Sequence, residues 1–247
     1  MTKIAIVGGG ILGSAVESAL ERRGHEVIVL SRRAGFDVTK PETMTPRPDI
    51  DAVVEATDVF TQKFDIARDF FQASTRNINH WAQESGIGKH VLISIVNCEA
   101  DAMSSNGYYA GNAAQEKVAL EENHGTVLVR STLWYEFARK NLDRMKVGPF
   151  AIVPQMKVKP VALDAVAEVV AECIDGERQG KAYDVCGPEV MSLWSMTRVL
   201  QNKGALPLSV PAPGPAGKAM RQGALIPGPS AETVGPGFDE WFAEGDR

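Results

Sequence analysis

The chain has 247 residues, 44% of them hydrophobic and 23% charged, with a formal net charge of −5 and an isoelectric point near 5.5. That length suits one α/β domain with a small lobe, no run approaches the ~18 apolar residues of a membrane span, and the acidic balance argues against direct nucleic-acid binding or attraction to an anionic membrane. The opening MTKIAIVGGG lacks the cationic-then-apolar layout of a secretory signal, so a cytoplasmic protein is expected, and Cys98, Cys173 and Cys186 form no CxxC and read as buried thiols rather than metal ligands or a disulfide.

Short apolar runs alternate with helical periods, the pattern of βαβ units and a parallel sheet. Lys3–Val7 reads as a buried strand. Ile11, Leu12, Ala15, Val16, Ala19 and Leu20 follow at helical spacing, with Gly24 to end the helix. Strands are then expected at Glu26–Leu30, at 35–38 and at 51–56. A long helix follows over 63–84, a fifth strand over 90–95, a helix over 108–122 and a sixth strand over 126–130. Beyond it the pattern predicts a helix around 135–145, a strand near 150–153, a helix over 164–174, a strand at Ala182–Cys186 and a helix over 193–201. Of the 37 Gly and Pro residues, 14 fall within 204–237, and this stretch together with the closing FDEWF reads as a packed lobe rather than a linker. The expected fold is a Rossmann-like α/β protein: a doubly wound, mainly parallel sheet in a single domain over 1–247. A small C-terminal substrate lobe is expected from about 134–160 and 187–247.

Gly8, Gly10 and Gly13 form G-x-G-x-x-G directly between the first strand and the first helix, around Ile11 and Leu12. The first glycine permits a sharp turn, the second a close approach of backbone to a pyrophosphate, and the third close helix–strand packing. The helix N-terminus then presents unpaired N–H groups to the phosphates. The end of the second strand selects the nucleotide. A carboxylate there would bond a ribose 2′-hydroxyl, but this chain has Ser31, Arg32 and Arg33, and a guanidinium can clasp a 2′-phosphate. NADP(H) is therefore expected over NAD(H). Asp37 is placed to reach an adenine amino group, and Ala56 and Thr57 follow the fourth strand at the edge where cofactors lie.

Taken in order, VGGGILG, SRR, FDVT, DAVVEATD, the STRNINHWAQESGIGKHVLISIV block, YYAGNAAQE, RSTLWYEF, PVALDAVAEVV and YDVCGPEVMSL resemble an atypical short-chain dehydrogenase/reductase of the NmrA-like NAD(P)-binding kind. The resemblance implies hydride transfer in which a Tyr is general acid or base. A Lys four residues on lowers the Tyr pKa and holds the nicotinamide ribose, and a Ser orients the substrate carbonyl. Positions i and i+4 share a helix face, and an adjacent ammonium favours the phenolate.

Ser94 and Tyr108 occupy the matching places, but position 112 is Asn. An amide can bond a ribose hydroxyl yet carries no charge. Lys117, nine residues after Tyr108, falls about 180° round the helix, and a register based on Tyr109 meets Ala113. Two readings stand: an oxidoreductase acting on a small carbonyl or quinone-like substrate through Ser94, Tyr108 and Asn112, or an impaired NADP(H)-binding redox sensor acting through a protein partner. An epimerase-like isomerase using bound NAD fits less well with Arg32 and without the lysine.

His25, His80, His90 and His124 lack ligand spacing and read as surface or capping residues, so no metal is expected. Asp49, Asp51, Glu55 and Asp58 resemble a carboxylate cluster, though Asp51 and Glu55 read more simply as polarity bracketing a strand. Thr132 follows the sixth strand at the cofactor edge. Leu133, Trp134, Tyr135 and Phe137 beside it, with Met191, Trp194 and Met196, either wall a pocket or pack in the core.

Overall fold

Strands apolar on both faces can be buried only in a sheet covered on both sides, and the computed structural model, which describes residues 2–123, 125–199 and 205–245, has that architecture. In chain order the elements are β1 (Lys3–Val7), α1 (Ile11–Arg22), β2 (Glu26–Leu30), β3 (Ala52–Glu55), α2 (Phe64–Ser85), β4 (Lys89–Ile95), α3 (Gly107–Glu122), β5 (Thr126–Ser131), α4 (Tyr135–Arg144), β6 (Lys146–Val147), β7 (Phe150–Pro154), β8 (Lys157–Val158), α5 (Leu163–Asp175), β9 (Ala182–Cys186), β10 (Met191–Ser192), α6 (Leu193–Val199), β11 (Leu206–Val210), α7 (Gly214–Gln222), β12 (Glu232–Thr233) and α8 (Phe238–Gly245). The main sheet has seven strands in the order β12-β9-β5-β4-β3-β1-β2, every pair parallel. This is the Rossmann-like doubly wound fold. β1 is flanked by β2 through Ile4↔Val27 and by β3 through Ile4↔Ala52, so the chain reverses its direction of travel across the sheet between those strands.

Helix periodicity decides which face each helix covers. Val16, Ala19 and Leu20 of α1 and Val166, Val170 and Ile174 of α5 bury one face. Ile78, Trp81 and Ala82 of α2 cover the other, together with Ala119 of α3 against Leu92 and Leu128. The helix expected over 193–201 is described as far as Val199; Gln201, and the Gly204 that begins the Gly/Pro-rich stretch, lie outside the described residues, as does His124.

The strand expected over 35–38 is absent. Arg32–Ala34 make a short 3-10 turn that ends on Gly35 at φ 83°, and Asp37 folds back to accept from Thr39 N at 3.0 Å. Phe36 and Val38 have the alternation of a strand, but they anchor a loop instead: the Phe36 ring meets Trp81 edge-on, with centroids 5.2 Å apart. The sheet consequently ends at β2.

The second hydrophobic centre joins α4, β7, α6, α7 and α8 around Tyr135, Leu142, Met196, Met220 and Phe238. β7 pairs antiparallel with β6 and parallel with β11, and β8 pairs with β10. FDEWF closes this centre, with Phe238 5.3 Å from the Tyr135 ring and Trp241 5.2 Å from it. Within the expected lobe segment 187–247, Glu232 and Thr233 instead return to the main sheet beside β9.

Glu55 does not mark an exposed strand edge. It is fully buried, and its Oε1 accepts from Thr75 Oγ1 at 2.7 Å, Gln115 Nε2 at 2.9 Å and Thr57 Oγ1 at 3.1 Å. His90, expected near the surface, is equally buried; its Nε2 lies 3.2 Å from Glu55 Oε2, off the hydrogen-bond axis, and its Nδ1 is 3.0 Å from Thr126 Oγ1. This polar knot pins α2, α3 and the three central strands β3, β4 and β5 together. Because deleting the carboxylate orphans several buried donors, Glu55→Ala is expected to lower stability by about 3 kcal/mol or more, and Glu55→Gln by clearly less, as read from urea unfolding midpoints at unchanged slope.

Candidate functional site

The carboxyl ends of β1, β3, β4 and β5 open into one cleft of about 750 Å³, at the switch point where open α/β sheets bind their ligands. Its floor is the glycine loop. Gly8 adopts φ 123°, and a Cβ there would overlap the Ala56 carbonyl oxygen, while one on Gly13 would overlap that of Gly8. Gly10 faces open space and stands at the start of α1 with no side-chain cap. Gly10, Ile11 and Leu12 line the cleft. Bare N–H groups at a helix start beside a flat glycine surface suit a pyrophosphate, so the cradle passes a physical test for a dinucleotide.

Ser31 lies against the loop, its Cβ 3.9 Å from where a Gly9 side chain would begin. Arg32 and Arg33 are exposed on the turn after β2, and neither has a carboxylate within 4.0 Å among the described residues. Asp37 lies on the same edge, but its Oδ1 is taken by Thr39 N and Oγ1, bonds that hold its carboxyl below the usual carboxylate range. Its role is first of all to shape the loop.

At the other end of the cleft, Ala56, Thr57, Ser94, Tyr108, Asn112 and Thr132 all line the same space. Thr57 is tied to Glu55, Thr132 Oγ1 donates to the Lys159 carbonyl at 2.6 Å, and Ser94 Oγ lies 3.8 Å from Cys98 Sγ. Tyr108 begins α3, where Asn106 caps its N–H at 3.1 Å, and its hydroxyl donates to Asp58 Oδ1 at 3.0 Å. Asn112, one turn on, donates through Nδ2 to the Tyr108 carbonyl at 2.9 Å. Its amide therefore braces the helix and brings no charge toward the phenol. Desolvation by the cleft walls, and then the Asp58 carboxylate, raise the Tyr108 phenol well above its ordinary value. The same walls raise the Asp58 carboxyl, although the residue as a whole is exposed. A phenol so placed remains protonated and acts as a hydrogen-bond donor. Lys117 lies elsewhere on α3, exposed beside Glu121.

Asp58 is the residue that sequence reasoning missed. It was grouped with Asp49, Asp51 and Glu55, yet the four carboxylates diverge: Asp49 pairs with Lys3 and Arg47, Asp51 accepts from Lys3 N, Glu55 is buried, and Asp58 enters the cleft. The signal was available, since Asp58 directly follows Thr57 beyond β3. Lys140 and Arg144 of α4 also line the cleft; only tertiary packing aims that helix, and no motif marks them. Leu133, Trp134 and Phe137 wall the cleft, whereas Tyr135, Met196 and, less deeply, Met191 and Trp194 belong to the lobe core.

The histidines disperse. His25 Nε2 lies 2.7 Å from Asp175, and His80 is 3.4 Å from Glu84 on the surface of α2. Cys98, Glu99 and Glu116 bring one donor atom each within 4.8 Å. However, Arg130 already grips Glu116 with two bonds of 2.7 Å, and burial pushes the Cys98 thiol up. This chemistry is poorly suited to a cation. No helix among the described residues is long and apolar enough to cross a membrane.

No family model matches the sequence, and no curated protein matches it. Solved structures do. The dTDP-4-dehydrorhamnose reductase of Bacillus anthracis in complex with NADP aligns over 98% of this chain and 98% of its own at TM-score 0.70 and 14% identity. The UDP-N-acetylglucosamine 4-epimerase of Bacillus cereus aligns over 99% and 95% at TM-score 0.68 and 16% identity. A short-chain dehydrogenase/reductase superfamily protein of Agrobacterium tumefaciens with bound NAD aligns over 98% and 95% at TM-score 0.67 and 14% identity. At these identities the chain shares their fold.

Proposed function

We propose that this protein binds NADP(H) across the glycine loop and acts as an oxidoreductase on a carbonyl compound held beside Tyr108. One observation carries the reading: the glycine cradle, the exposed Arg32 and Arg33, and the Ser94–Tyr108–Thr132 group all lie at one edge of the parallel sheet. NADP(H), when bound, supplies or accepts a hydride. The residues of this chain hold and polarise the substrate. The Tyr108 hydroxyl, protonated, turns from Asp58 to the carbonyl oxygen and passes its proton there as that oxygen becomes a hydroxyl, and Asp58, its hydrogen-bond partner in the resting site, relays a proton back to the phenolate. Asp58 sits behind Tyr108, and Ser94 offers a second hydroxyl. Solved neighbours in complex with NADP and with NAD are compatible with either nucleotide, so the preference rests on Arg32 and Arg33 alone. The NmrA-like subgroup, a cytoplasmic location and a single functional domain over 1–247 belong to the same proposal. A second reading, a redox-state sensor that signals to a protein partner, is favoured by one observation: Asn112 is turned onto its own helix rather than toward the phenol.

NADPH is expected to bind at least ~10-fold more tightly than NADH in calorimetric titration, and Arg32→Ala with Arg33→Ala should erase that gap, since a charge-assisted bond contributes about 1.5–3 kcal/mol. Equal affinities in the unaltered protein would remove the arginine argument.

Carbonyl reduction should lose about 10²–10⁴-fold in Tyr108→Phe with cofactor affinity retained, as expected for a proton donor. Because the Tyr108 phenol is held above its ordinary pKa, alcohol oxidation, which needs the phenolate, should be slow at neutral pH and rise only in strong alkali. Asn112→Lys adds an ammonium one turn away, stabilises the phenolate, and should move that rise to lower pH. A pH–rate profile unchanged by Asn112→Lys would exclude Tyr108 as the titrating group.

A further inference from the structure

The cleft changes character along its length. Its polar groups come from the sheet edge and from Lys140, Asn141 and Arg144 of α4. Beyond them it runs between α4 and β7 on one side and the β11–α7 connection on the other, where Met145, Ile152, Met156, Val210, Met220 and Leu225 line it. Residues 211–215 read Pro-Ala-Pro-Gly-Pro and border the same space. Proline has no N–H, so this wall offers few backbone donors to a polar ligand.

The charges are equally one-sided. Among the described lining residues the cations are Lys140 and Arg144 and the carboxylate is Asp58. Lys140 also borders the opening above Gly9 and Gly10, on the cofactor side. The Arg144 guanidinium stands 5.2 Å from the centre of the Phe60 ring and acts on Asp58. Arg144 is thus engaged with Phe60 and Asp58 and Lys140 stands toward the glycine loop, so among the described residues the stretch lined by Ile152, Met156, Val210, Met220 and Leu225 holds no cation of its own to pair with a diphosphate, the group by which a sugar nucleotide is gripped, usually through forked guanidinium contacts. Placing that group between methionines and prolines would strip it of water without replacement partners.

We infer that the cleft takes a carbonyl compound with an apolar body, an alkyl or aryl ketone or aldehyde, rather than a sugar nucleotide, and that Val210 with residues 211–215 forms the selecting wall. This deepens the oxidoreductase reading and rests on it. The carbonyl oxygen lies toward Tyr108 and the hydrocarbon part toward Met156 and Met220. A strand-end side chain, Val210, is 38% exposed, so it can be exchanged without opening the core.

The test uses the full chain saturated with NADP+, titrated in parallel with 4-phenylbutan-2-one and with UDP-glucose, following tryptophan fluorescence and heat. The ketone should bind at least ~10-fold more tightly than UDP-glucose. Val210→Lys should weaken the ketone by at least ~10-fold while NADP+ affinity stays constant, and Val210→Ile should retain it. UDP-glucose binding as tightly as the ketone, or a ketone affinity indifferent to Val210→Lys, overturns the inference. NADP+ binding without ketone binding also overturns it and leaves the cofactor reading intact. Failure to bind NADP+ overturns that reading first.

Discussion

The close passage of the Gly8 backbone beneath the Ala56 carbonyl governs the rest of this structure. It occurs where β1 hands the chain to β2 on one side while β3 lies on the other, so the connections leave β1 and β3 in opposite directions and a crevice opens beyond the strand ends. A side chain at Gly8 would collide with Ala56, and one at Gly13 would push α1 away from the loop. Both contacts are needed for α1 to aim its bare N-terminus into the crevice. The ends of β4 and β5 then place Ser94 and Thr132 along the same edge, and α3 starts with Tyr108 above them.

The site departs from the Tyr–Lys arrangement in a physically coherent way. Without an ammonium at position 112, Arg144 alone among the groups acting on Tyr108 favours a phenolate, and the cleft walls and Asp58 outweigh it. Tyr108 is thus built as a donor. That polarity suits reduction of a carbonyl better than abstraction of a proton from an alcohol. Beneath it, the knot of Glu55, His90, Thr57, Thr75 and Gln115 holds β3, α2 and α3 in register, so Thr57 and Tyr108 stand on a braced surface rather than on free loops.

The part of the sheet edge around the glycine loop was legible in the sequence because its signals are local. Strand runs, the glycine spacing and the position of Ser31–Arg32–Arg33 need only neighbouring residues to be read, and the structure places them together. The failures are of another kind. Phe36 and Val38 obeyed strand alternation, but their burial against Trp81 depends on α2, far along the chain. Glu55 reads as polarity bracketing a strand and His90 as a surface or capping residue, because no local pattern reveals that each supplies the other with a polar neighbour inside the protein. Asp58 was hidden among nearby carboxylates that separate only on folding. The lobe was the least legible: α4 turns Lys140 and Arg144 toward the cleft through packing against β7 and α6, and Glu232–Thr233 leave the lobe segment to rejoin the sheet.

In the proposed complex a dinucleotide lies across residues 8–13 with its 2′-phosphate at Arg32 and Arg33. Amide hydrogen exchange with and without NADP+ tests it directly, since binding protects the amides that the ligand covers or steadies. Peptides spanning residues 8–16 and 30–36 should both slow on adding NADP+, and 2′,5′-ADP alone should protect the second without fully protecting the first. Unchanged exchange in both regions at saturating nucleotide, or protection confined to the lobe, would contradict the account.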